Sequence, residues 1–157
     1  MLSTPVSGGL LFTDSDLFDS SSALEQTRTR TPHTTVFELL DAVARGAIVV
    51  DIRPQAQRAV QGTLPGALAI ERNVLEARLN PTSDARLTVA TDRDVEWIVI
   101  CSEGYTSSLA VASLQELGLH RATDLVGGYR ALQSAGLLGV LTGARHSVRE
   151  AEAISAH

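Results

Sequence analysis

Two unbroken apolar runs, Ala47-Ile48-Val49-Val50 and Trp97-Ile98-Val99-Ile100, constrain this chain more than any other feature. Each is too short for a buried helix. Runs of this kind suit strands that are covered on both faces, as in a parallel sheet. Leu68-Ala69-Ile70 is a weaker run, and Ala122 to Val126 is a fourth, closed by Gly127-Gly128. Helical patterns lie between or after these runs, over 35–45, 53–60, 73–79, 106–117 and 129–135. In the first, Thr35 with Glu38 three residues on predicts a capping box. Phe37, Leu39, Leu40, Val43 and Ala44 are expected to supply its apolar face, and Gly46 to end it. Strands alternating with helices predict βαβ units and a mostly parallel sheet.

The chain has 157 residues, of which 44% are hydrophobic and 20% charged, enough for one soluble domain with its own core. Residues 1–31 are rich in Ser, Thr and Gly without periodicity and read as a disordered leader. Residues 80–96 read as a polar loop. The domain is expected over 32–140, with 141–157 as a tail or frayed helix.

Composition removes several function classes. The net charge is -5, with 18 acidic against 13 basic residues, which argues against nucleic acid as a partner. Every basic residue is arginine, so lysine Schiff-base chemistry is excluded. One cysteine forms no internal disulfide and no Cys-rich zinc site. His33, His120, His146 and His157 are scattered without ligand spacing, so no metal is expected. The N-terminal patch Leu10-Leu11-Phe12 is too short for a signal peptide, and no stretch reaches the ~20 apolar residues of a membrane span. The expected location is the cytosol, where a thiol stays reduced.

The lone Cys101 closes the third apolar run. Ligands of open parallel sheets bind outside the carboxyl ends of the strands. The following residues, Ser102, Glu103, Gly104, Tyr105 and Thr106, curl toward a helix. Gly104 permits a positive φ, and successive N–H groups in such a turn form an anion nest to which the helix adds its positive end. Such a site lowers a thiol pKa. A free thiol at ~8.5 is about 3% thiolate at neutral pH, and a fall of roughly 2 units raises that ~25-fold. Intrinsic nucleophilicity falls by roughly 8-fold over the same range, so the net gain is only about 3-fold. Thiol activation alone therefore gives little reason to build the nest. Stabilising a bound anion or an anionic covalent intermediate, such as a cysteine persulfide, gives a better one.

Four motifs in order now resemble the rhodanese domain family, over about residues 34–138. Cys101 to Thr106 is similar to its C-x-x-G-x-[T/S/R] loop, with threonine at the last place as in the thiosulfate and mercaptopyruvate sulfurtransferases. Asp51-Ile52-Arg53 is similar to its D-x-R. Gly62-Thr63-Leu64-Pro65-Gly66-Ala67 is similar to its G-H-[IL]-P-G-A, with Thr63 in place of histidine. Gly127-Gly128-Tyr129 is similar to its glycine-glycine-aromatic turn. The resemblance implies a single α/β domain with a central, mostly parallel sheet of about five strands and helices on both faces. It also implies sulfur transfer through a persulfide on Cys101, with the amides of 102–106 and the Thr106 hydroxyl holding the terminal sulfur. The donor would be a small molecule such as thiosulfate. The acceptor would be a thiol, cyanide or a protein. No cofactor, nucleic acid or membrane is implied.

Other residues read more plainly. Thr106 is expected to cap its helix at the least. Arg53, Arg58 and Arg72 follow strands and are candidate substrate contacts, with Asp51 as a structural partner for Arg53. Glu103 places a negative charge where an anionic donor must enter, so it either points to solvent or selects another donor. A catalytically weak binding or regulatory module is the competing reading. A cysteine phosphatase is disfavoured, because its C-x5-R loop needs arginine at the position of Ser107.

Overall fold

A computed structural model describes residues 31–142. The leader expected over 1–31 lies outside the described residues apart from Thr31, and the tail expected over 141–157 lies outside them apart from Leu141 and Thr142. The elements run β1 (His33–Thr34), α1 (Val36–Ala44), β2 (Ile48–Asp51), α2 (Gln55–Gln61), β3 (Leu68–Ala69), a 3-10 turn (Arg72–Val74), α3 (Leu75–Leu79), β4 (Trp97–Ile100), α4 (Thr106–Glu116), β5 (Thr123–Leu125) and α5 (Gly128–Ser134).

The strands form one sheet in the order β1-β5-β4-β2-β3, and every pairing is parallel. The two strongest apolar runs are the neighbouring strands β2 and β4, with Val50 opposite Val99. Their side chains alternate between two core layers. Ile48, Val50, Trp97 and Val99 face a layer with Leu75, Leu79, Val111 and Leu114 of α3 and α4. Val49, Ile98 and Ile100 face one with Leu39 of α1, Leu132 of α5 and Leu141. Burial on both faces is what an unbroken run predicts. The two-residue strand β1 is absent from the sequence reading, because His33-Thr34 carries no apolar signal.

The α1 capping box is present, with Glu38 N–H donating to Thr35 Oγ1 at 3.2 Å and Thr35 N–H donating to Glu38 Oε1 at 2.9 Å. Its apolar face differs from expectation. Leu39 and Ala42 are buried, whereas Phe37 is 87% and Leu40 50% exposed. With about 100° of rotation per residue, a nine-residue helix packed on one face of the sheet buries only the stripe through Val36, Leu39, Ala42 and Val43. Phe37, Leu40 and the exposed Ala44 fall outside that stripe. Residues 80–96 contain turns but no helix or strand, and they bury Leu87 and Ala90 in the first core layer. Among the described residues, no helix is long and apolar enough to cross a membrane.

Candidate active site

From β2 the chain moves outward to β3, and from β4 it moves the other way to β5. Loops therefore diverge above β2 and β4, leaving a crevice at their carboxyl ends. Cys101 follows β4 at that point. A cleft of about 430 Å³ opens there, lined by Pro54, Gln57 and Gln61 from the β2 side, by Cys101, Ser102, Glu103, Tyr105 and Thr106, and by Arg130 of α5.

The loop is shaped by its contacts with α5. Tyr129 N–H donates to the Cys101 carbonyl at 2.8 Å and Arg130 N–H to the Ser102 carbonyl at 3.0 Å. In a planar trans peptide the C=O and N–H point in opposite directions. Tying these two carbonyls to α5 thus turns the Ser102 and Glu103 amides away from it. Gly104, at φ +92°, completes the turn and brings its N–H to 3.0 Å from Cys101 Sγ. The close approach of α5 requires glycine, since a Cβ on Gly128 would lie 2.4 Å from the Cys101 carbonyl oxygen.

Cys101 is 5% exposed, and its sulfur sits at the floor of the cleft. Its Sγ lies 3.3 Å from Ser107 Oγ. Burial pushes the thiol pKa up. Hydrogen bonds from the Ser107 and Thr106 hydroxyls and the Ser107 and Gly104 amides pull it down further, leaving it below its ordinary value. The Thr106 hydroxyl thus serves the sulfur and does not cap the helix. Tyr105 occupies the N-cap position without a side-chain capping bond, and Thr106 is the first helical residue.

The three arginines singled out from sequence do not line this cleft. Arg53 is fully buried and pairs with Asp51, with Nη2 to Oδ2 at 2.7 Å and Nε to Oδ1 at 3.0 Å. Its guanidinium also lies 3.8 Å from the centroid of the Tyr129 ring. Arg58 donates to the Arg53 carbonyl at 3.2 Å and to Glu71 at 3.3 Å. Arg72 forms an i,i+4 pair with Glu76. The arginine that does reach the cleft is Arg130, whose Nε is 3.8 Å from Glu103 Oε2 across the mouth. Its position one residue after the Gly127-Gly128-Tyr129 turn is the sequence signal that finds it.

Gln61 connects the buried pair to the loop. Its Oε1 accepts from Arg53 Nη1 at 3.1 Å, and its Nε2 donates to Ser102 Oγ at 2.9 Å. Tyr129 closes the ring by donating its hydroxyl to the Gln61 carbonyl at 3.0 Å. Behind the sulfur, Asp124 of β5 accepts from Ser107 and Ser108 and pairs with His33. A carboxylate inside the buried strand Thr123-Asp124-Leu125 is the signal that marks it. Among the described residues, no group of three His, Cys, Asp or Glu is placed to hold a metal ion.

The model of the rhodanese-like domain family matches residues 35–135 of this chain. A human single-domain sulfurtransferase is 28% identical, with 66% of this chain and 96% of that one covered at a TM-score of 0.56. A protein of unknown function from Rhodopseudomonas palustris, described as a possible tyrosine phosphatase, superposes with a TM-score of 0.63 at 21% identity. That match covers 84% of this chain and 97% of that one and is a likeness of fold. A rhodanese-related protein from Thermoplasma volcanium shares the fold at 23% identity and a TM-score of 0.52, covering 67% of this chain and 93% of that one. No curated protein matches.

Proposed function

Because this chain belongs to the rhodanese-like domain family, we propose that it is a sulfurtransferase carrying a sulfane sulfur as a persulfide on Cys101. The observation that carries the reading is the seat of the sulfur. It lies at the floor of an open cleft, 3.0 Å from the Gly104 N–H and with a lowered pKa. The Cys101 thiolate attacks the outer sulfur of thiosulfate, forming a new S–S bond. The old S–S bond breaks, and sulfite leaves with the electron pair. The persulfide keeps one negative charge, which the Gly104 amide, the outward-turned loop amides and the Thr106 hydroxyl are arranged to receive. A nucleophilic acceptor, such as cyanide or a thiolate, then attacks the terminal sulfur and releases the Cys101 thiolate.

No cofactor enters either step. Ser102, Glu103, Tyr105 and Thr106 form one wall of the substrate cleft, with Gln57, Gln61 and Arg130 opposite or beside them. Arg53, Arg58 and Arg72 act on the scaffold, since each is engaged with its own partners. We place the catalytic domain over about 32–140 and the reaction in the reducing cytosol.

Intact mass spectrometry tests this directly. Thiosulfate should add the mass of one sulfur to the protein, cyanide should remove it, and Cys101→Ser should show neither change. A wild-type protein that gains no sulfur from thiosulfate, mercaptopyruvate or a small persulfide would overturn the reading in favour of a binding module.

A further inference from the structure

We propose that Ser107, Asp124 and His33 form a positioning chain behind Cys101, in which Asp124 opposes ionisation of the thiol and His33 relieves that opposition. The inference rests on Cys101 being the reacting group proposed above. Its geometry is drawn from three different elements. Cys101 Sγ lies 3.3 Å from Ser107 Oγ on α4, and Ser107 Oγ lies 3.2 Å from Asp124 Oδ2 on β5. The same carboxylate oxygen accepts from Ser108 Oγ at 3.0 Å, and the other oxygen, Oδ1, pairs with His33 Nδ1 on β1.

A serine hydroxyl has a single hydrogen. With that hydrogen on Asp124, the Ser107 oxygen can only accept, and the sulfur must keep its proton in order to donate. To stabilise a thiolate, Ser107 must turn its hydrogen toward the sulfur and leave Asp124 Oδ2 with Ser108 alone. Asp124 is 1% exposed, so a hydrogen bond lost there is not replaced by water. The exchange is therefore easier when a protonated His33 already compensates the carboxylate. The His33 side chain is 34% exposed, whereas that of Asp124 is 2% exposed.

Among the described residues, the charged groups nearest this chain are as follows. His33 comes from β1, Asp124 from β5 and the thiol from the loop after β4, while α4 contributes only hydroxyls. At the end of β2 and just after it, Asp51 and Arg53 pair with each other, and Glu103 and Arg130 face each other across the mouth of the cleft. The sign of each substitution follows. Asp124→Asn removes a negative charge and a competing acceptor, so it favours the thiolate. His33→Gln removes the compensating positive charge, so it favours the thiol. A charge two hydrogen bonds away, at most ~6.5 Å, at an effective dielectric of about 20 corresponds to roughly 70-fold in the thiolate fraction, and the lower intrinsic nucleophilicity of the more acidic thiol leaves about tenfold in rate.

The experiment is the rate of iodoacetamide alkylation of the full chain against pH. It needs no sulfur transfer, and Cys101 is the only cysteine. Below the titration midpoint, Asp124→Asn should speed alkylation about tenfold. His33→Gln should slow it severalfold, with an effect that fades as pH rises. Both effects should shrink by at least half in a Ser107→Ala background. A merely structural role would move both variants in the same direction, and that result would overturn the chain. Changes below about twofold in folded variants would also overturn it, being too small for a charge at this range. If Asp124→Asn does not fold, His33→Gln decides alone through the sign and pH dependence of its effect. Signed shifts without a persulfide adduct would keep the chain and sink the sulfur-transfer reading; an adduct without the shifts would do the reverse.

Discussion

Arg53→Met is the most informative perturbation of the scaffold. Arg53 supplies every side-chain donor to Asp51, whose carboxylate is 2% exposed. After the substitution, Asp51 keeps only the backbone N–H of residue 53, at 3.1 Å. Opposite unit charges about 4 Å apart attract by about 4 kcal/mol at an effective dielectric of 20. Removing one member of a buried pair costs about 3–5 kcal/mol, because the survivor stays desolvated. The guanidinium also leaves the face of Tyr129 and the side chain of Gln61. We expect a loss of about 4 kcal/mol from a domain whose total stability is of order 5–15 kcal/mol. With a urea slope of roughly 2 kcal/mol/M, the unfolding midpoint should fall by about 2 M. Trp97, the only tryptophan and fully buried, reports the transition by fluorescence. Asp51→Leu combined with Arg53→Met should recover much of the loss, since no charge is then stranded. A midpoint for Arg53→Met within about 0.3 M of the parent would refute the structural assignment, because the shift would be far below that of a broken buried pair.

Two further substitutions test the loop. Gly128→Ala would place a Cβ 2.4 Å from the Cys101 carbonyl oxygen at φ +59°, so α5 must withdraw and release the bonds from Tyr129 N–H and Arg130 N–H. The expected cost is about 3 kcal/mol, from two hydrogen bonds and a strained backbone, read as a lower Tm. An unchanged Tm would show that these bonds do not hold the loop. Glu103→Gln should raise kcat/KM for thiosulfate a few-fold at low ionic strength, with the gain vanishing in high salt. Glu103 and Arg130 are both largely exposed and 3.8 Å apart, so Arg130 offsets the carboxylate only in part. An unchanged value at low salt would mean that Glu103 does not act on the donor.

The sequence made the layers of this fold legible where physics is local. Four-residue apolar runs marked β2 and β4, because strands covered on both faces need no alternation. Thr35 and Glu38 marked the start of α1, because a capping box lies within four residues. The parallel five-strand sheet followed from alternating elements and from the resemblance. The edge strand β1 did not, because its partners, Asp124 and Leu125, are some ninety residues away. The same distance hid the surroundings of the sulfur. Cys101 and Gly104 were readable as a thiol on a glycine turn, but His33 reaches Asp124 only through the β1–β5 pairing. The surroundings of the arginines were only partly legible for a related reason. Asp51 was readable as a partner for Arg53, but the partners of the other two, Glu71 for Arg58 and Glu76 for Arg72, depend on side-chain packing.

The four motifs that looked like separate marks in the sequence are one mechanical device. Asp51 and Arg53 lock the start of the loop after β2, and Arg53 orients the Gln61 amide toward Ser102. Gly66 is held at φ +90° against Leu141, where a Cβ would come within 1.8 Å of the Leu141 carbonyl oxygen, so this turn joins the same core layer as α5. Gly127 and Gly128 let α5 approach closely enough to take the Cys101 and Ser102 carbonyls. Once those oxygens are bound on one side, planar peptides leave the following N–H groups on the other. The direction in which the loop amides face is therefore set by what the carbonyls bind behind them. This is why a cleft whose lining ionic groups, Glu103 and Arg130, are opposite in sign and only partly offset each other can still favour an anion at its floor.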